Sequence, residues 1–402
     1  MLASVLAAGF MAVVPGAAGA AVPTGPGSVA AGGAHACALA AGQTVKCWGL
    51  DNAGQLGNGK SGNGLVSKTP VSVVGLKGVS AVTAGDSHTC ALLKFDGSVE
   101  CWGQNDSGQL GNGTRTNSSK PVIVKAVGGK GTLRGVIAIA AAGSHTCAVR
   151  SADVGIVACW GLNVGGVLGN GSTKFQRNTT PQSVPGLTRV VAISTSTEDT
   201  CALLKGGTLK CWGFNEYGEL GPNTTGPGSC DTGEFTHACS PIPITVKGIS
   251  NVISVSVGPH STCAAVKNGR VICWGLNISP HSAQSTGFVT MSGLAGVTAV
   301  ASPGDVEIFG SDVFSCALLS TRAVKCWGDN TRGQLGNGSK TSAKLPTTVS
   351  TKPFANTITA GAAFACMRLT LLPVLCWGDN GYGQLGNNGA NSHNVPVFVT
   401  GL

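Results

Sequence analysis

The chain is predicted to be an all-β, seven-bladed propeller of four-stranded antiparallel blades, and three observations in the sequence predict it. All seven tryptophans, Trp48, Trp102, Trp160, Trp212, Trp274, Trp327 and Trp377, stand in Cys-Trp-Gly triplets spaced 54, 58, 52, 62, 53 and 50 residues apart. A period of that length belongs to propellers, solenoids and arrays. Between triplets the chain breaks into short segments rich in β-branched residues and bounded by Gly, Asp and Pro, the pattern of strands joined by turns. Finally, 62 of 402 residues are Gly, 42% are hydrophobic and only 11% are charged, a composition that excludes disorder and disfavours long helices.

Residues 2–14 are a predominantly apolar run, with Ser4 its one polar residue, ended by Pro15, with small residues following at Ala18-Gly19-Ala20. The run is shorter than the roughly 20 residues a bilayer requires, so residues 1–20 read as a signal peptide. It lacks a basic start, the first Lys or Arg being Lys46; either the free amine supplies the charge or the true start lies upstream of Met1. Residues 21–28 are a Pro/Gly linker and 29–402 the propeller. The second copy shows a whole unit: segments 70–74, 79–85, 88–93 and 98–103 read as four strands. Proline opening the first of these places it at a sheet edge. The first copy has no such segment before Val29, whereas the chain ends in a spare one around Pro396. The ring is therefore expected to close by a blade built from strands of both termini.

The sixteen cysteines pair by sequence as Cys37 with Cys47, Cys90 with Cys101, Cys147 with Cys159, Cys201 with Cys211, Cys263 with Cys273, Cys316 with Cys326 and Cys366 with Cys376, leaving Cys230 with Cys239 in an insertion. Each repeat pair flanks one hairpin turn, and residues opposed across a hairpin approach disulfide reach. Buried free thiols predict singletons, which are not found. A zinc site needs two hairpins to share an ion and lacks the usual paired knuckles. Disulfides imply an oxidising compartment, in agreement with the leader.

The copies diverge unevenly. The third reads Gly165-Gly166-Val167-Leu168-Gly169 and lengthens a hairpin at 151–155. The fourth changes to Gly218-Glu219-Leu220-Gly221 and inserts 223–240. The fifth replaces the motif with Asn277-Ile278-Ser279-Pro280 and precedes an extra segment at about 304–312. Where a loop leaves the repeat it is released from packing, so contact sites are expected there.

With this pattern in view, the chain resembles the regulator of chromosome condensation repeat family over about residues 29–402, the stretch from Trp327 to Gly338 being a clean copy of its motif. The resemblance implies a seven-bladed propeller and roles ranging from nucleotide exchange on Ran-type GTPases and ultraviolet sensing to protein inhibition outside the cell. The family pattern has alanine or an aromatic where this chain has cysteine, which points to an exported, cysteine-paired branch and away from nuclear roles.

Several motifs mimic chemistry. Gly54 to Ser61 fits the phosphate-loop pattern, but its glycines recur at Gly108, Gly166 and Gly333 and no helix is expected behind it; Gly57 to Gly62 mimics a dinucleotide fingerprint in the same accidental way. No nucleotide, other cofactor or metal is expected. The residue three after each Trp (Asp51, Asn105, Asn163, Asn215, Asn277, Asn330, Asn380) is expected to bond its own loop. His35, His88 and His145 recur two residues before a cysteine and are expected to be satisfied buried groups rather than ligands. No serine elbow or zinc helix occurs, and Glu198 with Asp199, Glu216 with Glu219, and Asp305 with Glu307 are the local acid clusters from which a hydrolytic site could be built.

The net charge of +9 is spread singly, so neither a nucleic-acid footprint nor a transmembrane segment is expected. The function read from these features is a secreted or cell-surface, non-enzymatic, monomeric binding propeller that presents blade-edge loops to a protein or cell-surface glycan. Aromatic and arginine anchors dominate such contacts, making Phe175, Arg177, Tyr217, Phe235, Phe309, Arg332 and Tyr382 the candidates. The alternatives are a nuclear exchange or chromatin-type regulator and a propeller-fold carbohydrate-active enzyme or lectin.

Overall fold

The computed structural model describes residues 29–151, 155–222, 224, 228–231, 236–276, 285–304, 313–351, 354–370 and 373–402. The expected leader, the linker, residues 305–312, Asn277, Phe235 and Phe309 lie outside them. The described chain forms seven antiparallel sheets, each made of consecutive strands, and its one helical element is the short 3-10 turn Ala41–Gln43. The innermost strands, Val29–Ala31, Val79–Ala84, Val136–Ala142, Val190–Thr195, Val252–Gly258, Val297–Ala301 and Ala355–Ala360, each touch the next, and the last touches the first. Their alanines, serines and valines suit seven strands converging on one axis.

Closure differs from the expectation. Blade 1 is complete in itself (Val29–Ala31, His35–Ala40, Thr44–Leu50, Val66–Ser72), and so is blade 7 (Ala355–Ala360, Phe364–Leu369, Val374–Gly378, His393–Phe398). Among the described residues no blade mixes strands of the two termini. The proline-bearing segment is the outer strand of the blade before it, so the segment around Pro396 is not spare. The seam is instead stitched by side chains: Ala31 N donates to Thr359 Oγ1 at 3.3 Å, Arg368 Nη1 to the Leu39 carbonyl at 2.7 Å, and Lys46 Nζ to the Gly401 carbonyl at 2.7 Å. Blade 4 also departs from four strands. Its insertion adds Gly228–Asp231, paired outside Thr236–Thr245.

The Cys-Trp-Gly triplet is explained by register. In every blade the repeat cysteines are directly opposed across the hairpin: Cys37 faces Cys47, Cys90 faces Cys101, Cys147 faces Cys159, Cys201 faces Cys211, Cys263 faces Cys273, Cys316 faces Cys326 and Cys366 faces Cys376. Their Cα atoms are 4.0–4.1 Å apart, the close spacing of a non-hydrogen-bonded antiparallel pair. With Cys230 and Cys239 in the insertion, all eight expected pairs lie at disulfide distance, and no cysteine is free. Opposite each Trp the outer strand bulges, the pairing shifting between Cys47 and Gly49 and likewise in the other blades. Pro70, Pro121 and Pro396 sit in that bulge rather than at the strand start, where the missing amide breaks no ladder bond.

The indoles face the neighbouring blade and are 0–1% exposed. Burying about 200 Å² of ring each stabilises by about 5 kcal/mol. The indole nitrogens of Trp102, Trp160, Trp212, Trp274 and Trp377 donate to the carbonyls of Gln55, Gln109, Val167, Glu219 and Gln334 in the preceding blade at 2.7–2.9 Å. Trp48 makes the same bond to Gln384 at 2.8 Å, so the first and last blades meet like any other pair. At this seam Gly386 has φ +65, and a Cβ there would lie 2.9 Å from Trp48 Cδ1 and Nε1.

Gly386→Ala is therefore expected to destabilise by about 2–5 kcal/mol, the sum of a left-handed alanine and an overpacked seam. Gly64, at φ +71 with open space around it, isolates the conformational part, and Gly64→Ala should lose only about 1–2 kcal/mol. Urea unfolding of the oxidised proteins measures both; equal losses would show that the seam does not depend on this contact.

Candidate functional site

In an up-and-down blade, the turn from first to second strand and the loop from third to outer strand emerge at the same end. Most departures from the repeat fall at that end; the lengthened hairpin at 151–155 and the longer link between the strands Ser118–Ile123 and Val136–Ala142 fall at the other. Its regular loops are tied by the residue three after Trp. In blade 6 Asn330 Oδ1 accepts from Leu335 N at 2.9 Å, and its Nδ2 donates to the carbonyls of Ser339 and Thr341 at 3.1 Å. Asn105, Asn163 and Asn380 act alike, and Asp51 supplies the acceptor half. Gly54 to Ser61 belongs to such a loop and leads into the strand Val66–Ser72, not into a helix.

Next to the loops lies a buried polar chain. His35 Nε2 meets Thr89 Oγ1 in the next blade at 2.8 Å, and that hydroxyl donates to the Gln55 carbonyl at 2.9 Å. Since the hydroxyl proton is used on the carbonyl, the imidazole donates from Nε2. His88 repeats the arrangement with Thr146 and Gln109, and His145 reaches Thr200 at 3.4 Å. Burial lowers all three imidazoles, to about 4, 3 and 4, so they are neutral at physiological pH and the histidines tie blades together.

Blade 4 breaks both patterns. Asp199 takes the histidine position, fully buried, with neither oxygen accepting a well-formed hydrogen bond. Glu219 takes the glutamine position at 1% exposure. Its Oε2 accepts from Tyr217 N at 2.9 Å, as Gln334 Oε1 does from Arg332 N. The glutamines of blades 1, 2, 6 and 7 also donate from Nε2 to Asn52, Asp106, Asp329 and Asp379; Glu219 Oε1 has no partner.

These acids meet neighbours from blade 5 and from the insertion. Val164, Glu198, Phe214, Glu216, Tyr217, Glu219, His237 and His260 line a cavity of about 280 Å³. Glu198 and His260 hold equivalent positions in blades 4 and 5, occupied elsewhere by Ala34, Ser87, Ser144, Val313 and Ala363. His260 adopts φ +57, and its Nδ1 stands 2.8 Å from Glu198 Oε2, off the hydrogen-bond direction. His237 contacts Glu216, and the His260 and His237 rings pack edge-on against Tyr217 and Phe214. Burial, then the charges of Glu219 and Glu198, hold Asp199 well above the usual carboxylate range. Burial raises Glu219 to about 7, while the adjacent Glu198 holds His260 above the ordinary imidazole value.

Of the expected anchors, Tyr217 lines this cavity. Phe175 and Arg177 lie in blade 3, the guanidinium 5.8 Å from the ring centroid; Arg332 and Tyr382 are exposed on the same end in blades 6 and 7. The acid pairs, Glu198 with Asp199 and Glu216 with Glu219, converge. Val164, Phe214, His237 and His260 were not anticipated; the usable signal for His260 was a charged residue at a position that is small or apolar in every blade but the adjacent one. Gly304, where the extra segment of blade 6 begins, reaches across the ring, its carbonyl accepting from Thr197 N in blade 4 at 2.8 Å.

A closed ring of sheets stitched by indole-to-carbonyl bonds, with its variable chemistry on the loops of one end, is a repeat propeller built as a loop-bearing platform. Residues 45–92, 96–149, 155–203, 207–265, 324–367 and 373–402 match the regulator of chromosome condensation (RCC1) repeat, and the chain belongs to that family. It is 28% identical over 327 residues to the ultraviolet-B receptor UVR8 of Arabidopsis thaliana, covering 77% of this chain and 66% of the receptor. It is 29% identical over 283 residues to the human E3 ubiquitin-protein ligase HERC2, covering 66% of this chain and 5% of the ligase. The chain thus spans just under two thirds of the receptor and a small part of the ligase. In structure it resembles yeast RCC1 bound to Kap60 (TM-score 0.71, 18% identity, 96% and 85% of the two chains) and human WBSCR16 (TM-score 0.68, 20% identity, 85% and 86%).

The buried histidines set a pH dependence. Their folded pKa values lie below the ordinary 6.5, so below pH 6.5 the unfolded chain binds more protons. Stability is full above pH 6.5 and is lost as pH falls toward 4 and 3. Blades 6 and 7 carry Phe314 and Phe364 at this register, so His88→Phe fits and removes one share of the loss. Between pH 6.5 and 5 the variant should lose about 2 kcal/mol less than the wild type in urea unfolding; parallel curves would refute a neutral buried His88.

Proposed function

We propose that this chain is a non-enzymatic binding propeller that works outside the reducing cytosol and grips a protein partner with the loop face around blades 3 to 5. The carrying observation is the cavity between Val164, Tyr217 and His260: concave, aromatic-walled and acid-floored on a protein of net charge +9, and formed where the repeat is abandoned. Concave sites of this kind, with a few convergent polar groups, are where ligands bind. Tyr217, Phe175 with Arg177, and farther round Arg332 and Tyr382 serve as anchors.

Export is supported by the eight cysteine pairs, since such bonds persist in oxidising compartments and weigh against a nuclear exchange role. No helix among the described residues is long and apolar enough to cross a membrane. A protein is favoured over a glycan as partner because yeast RCC1, which shares the fold, is bound to Kap60. A hydrolytic reading draws on one observation, the convergence of Glu198, Asp199, Glu216 and Glu219. It predicts turnover of glycosides that disappears in Glu219→Gln.

Two measurements test the proposal. Intact mass of natively produced protein should show the leader lost and sixteen hydrogens missing from the cysteines; an uncleaved, fully reduced mass overturns the compartment. A photo-crosslinking residue at Tyr217 should capture a partner protein in the producing culture, whereas one at Phe95, fully exposed in a turn at the opposite end, should not. Equal capture at both positions overturns the assigned face.

A further inference from the structure

The floor of the cavity is built for a cation. Glu198, Glu219 and His260 each present one donor atom, and these atoms lie within 4.8 Å of one another. A tetrahedral ion at the 2.0–2.2 Å typical of zinc holds its ligands about 3.3–3.6 Å apart, so side-chain shifts of about 1 Å bring all three donor atoms round one ion.

The second observation comes from hydrogen bonding. Glu219 is 1% exposed and lines the cavity, yet its Oε1 has no partner. The loop needs only the acceptor that Tyr217 N already uses, and glutamine provides it in four other blades. Replacing that amide by a carboxylate removes a donor and adds a charge to a buried site, a change that leaves a costly group unless a cation meets it. Asp199, next to Glu198 in the chain, extends the deficit, neither of its buried oxygens accepting a well-formed hydrogen bond. Against three or four carboxyl groups the cavity holds only two imidazoles, and neither Lys nor Arg is among its lining residues.

We propose that Glu198, Glu219 and His260 bind a divalent transition-metal ion of the Zn²⁺ or Mn²⁺ class at the floor of this cavity, with Asp199 as an outer-shell acceptor. One imidazole and two carboxylates suit borderline ions of this type better than Ca²⁺, which takes six to eight oxygens. Three protein ligands leave a coordination position for a donor from an incoming molecule. The proposal deepens the binding reading, since it names the chemistry at the centre of that surface, and it reverses the expectation that the chain holds no metal.

The test uses the oxidised full chain, stripped with chelator and titrated calorimetrically with ZnCl₂ and MnCl₂, with native mass spectrometry for stoichiometry. One ion per chain is expected, and the wild type should melt at a higher temperature when it is bound. Glu219→Gln restores the residue that four blades carry and so should fold. It should weaken binding by about 100-fold or more, exceeding the 10–100-fold typical of an outer-shell partner, which Asp199→Asn should show. His260→Ser, the residue of blades 2 and 3 at this position, should also abolish the metal-dependent rise in melting temperature. No binding by the wild type up to about 1 mM, or binding unaltered in Glu219→Gln and His260→Ser, overturns the site. Crosslinking at Tyr217 is repeated with chelator and with metal: capture by a chain that binds no ion retains the binding surface and removes the metal, whereas an ion without capture removes the surface and retains the metal.

Discussion

Everything in this ring depends on one hydrogen bond repeated between blades, from a buried indole N–H to a backbone carbonyl in the preceding sheet. Both groups are out of reach of water, and a buried polar group left unpaired costs about 1–3 kcal/mol. The bond thus fixes the relative position of two sheets in a way that apolar packing alone does not. In four seams a threonine hydroxyl, from Thr89, Thr146, Thr200 or Thr262, donates to the same carbonyl. Each acceptor therefore uses both of its lone pairs. Because Trp48 finds Gln384 as Trp102 finds Gln55, the ring shuts with the device that joins any two neighbours, and no strand has to be exchanged between the termini.

The staple takes a main-chain carbonyl, so it does not specify the side chain that carries it. Gln55, Val167 and Glu219 all serve. This separation lets the loop end vary without loosening the ring. At Glu219 the carbonyl holds Trp274 at 2.7 Å while the side chain turns a neutral loop support into an acid. The histidine position is equally permissive: imidazole, phenyl and carboxyl groups occupy it in different blades, each flanked by the same cysteine pair.

What could be read from the sequence follows the same division. The triplets, the paired cysteines and the Trp+3 asparagines obey the repeat, so the number of blades, the disulfide-distance pairs and the loop-tying role were all legible. The phase of the repeat was not. Pro70 and Pro396 look like the start of a unit because proline punctuates, but they lie in the bulge of an outer strand that belongs to the preceding sheet. The site was hidden for a different reason. Glu198, Asp199 and Glu219 were visible as departures within copy four, but His260 is in copy five, and only the packing of successive blades brings it beside them. His237 was hidden by an insertion that reads as a loop but lengthens the outer strand Thr236–Thr245 and pairs it with the extra strand Gly228–Asp231.

That extra strand bears on how the ring tolerates the acids. Blade 4 has lost an imidazole donor at Asp199 and an amide donor at Glu219, and both replacements are raised in pKa because burial opposes their ionisation. It is also the blade with an added disulfide, between Cys230 and Cys239, and a fifth strand. The added hairpin reaches blade 3, where Asp231 N donates to the Thr173 carbonyl at 2.8 Å, beside the bond from Gly171 N to the Pro241 carbonyl at 2.9 Å that other blades also make. It thereby clamps the two blades whose Val164 and Phe214 wall the cavity. Covalent and main-chain reinforcement therefore surrounds a place where two buried carboxyl groups fall short of hydrogen-bond partners, and a shortage held in a stiff frame stays directed at whatever enters from the open side.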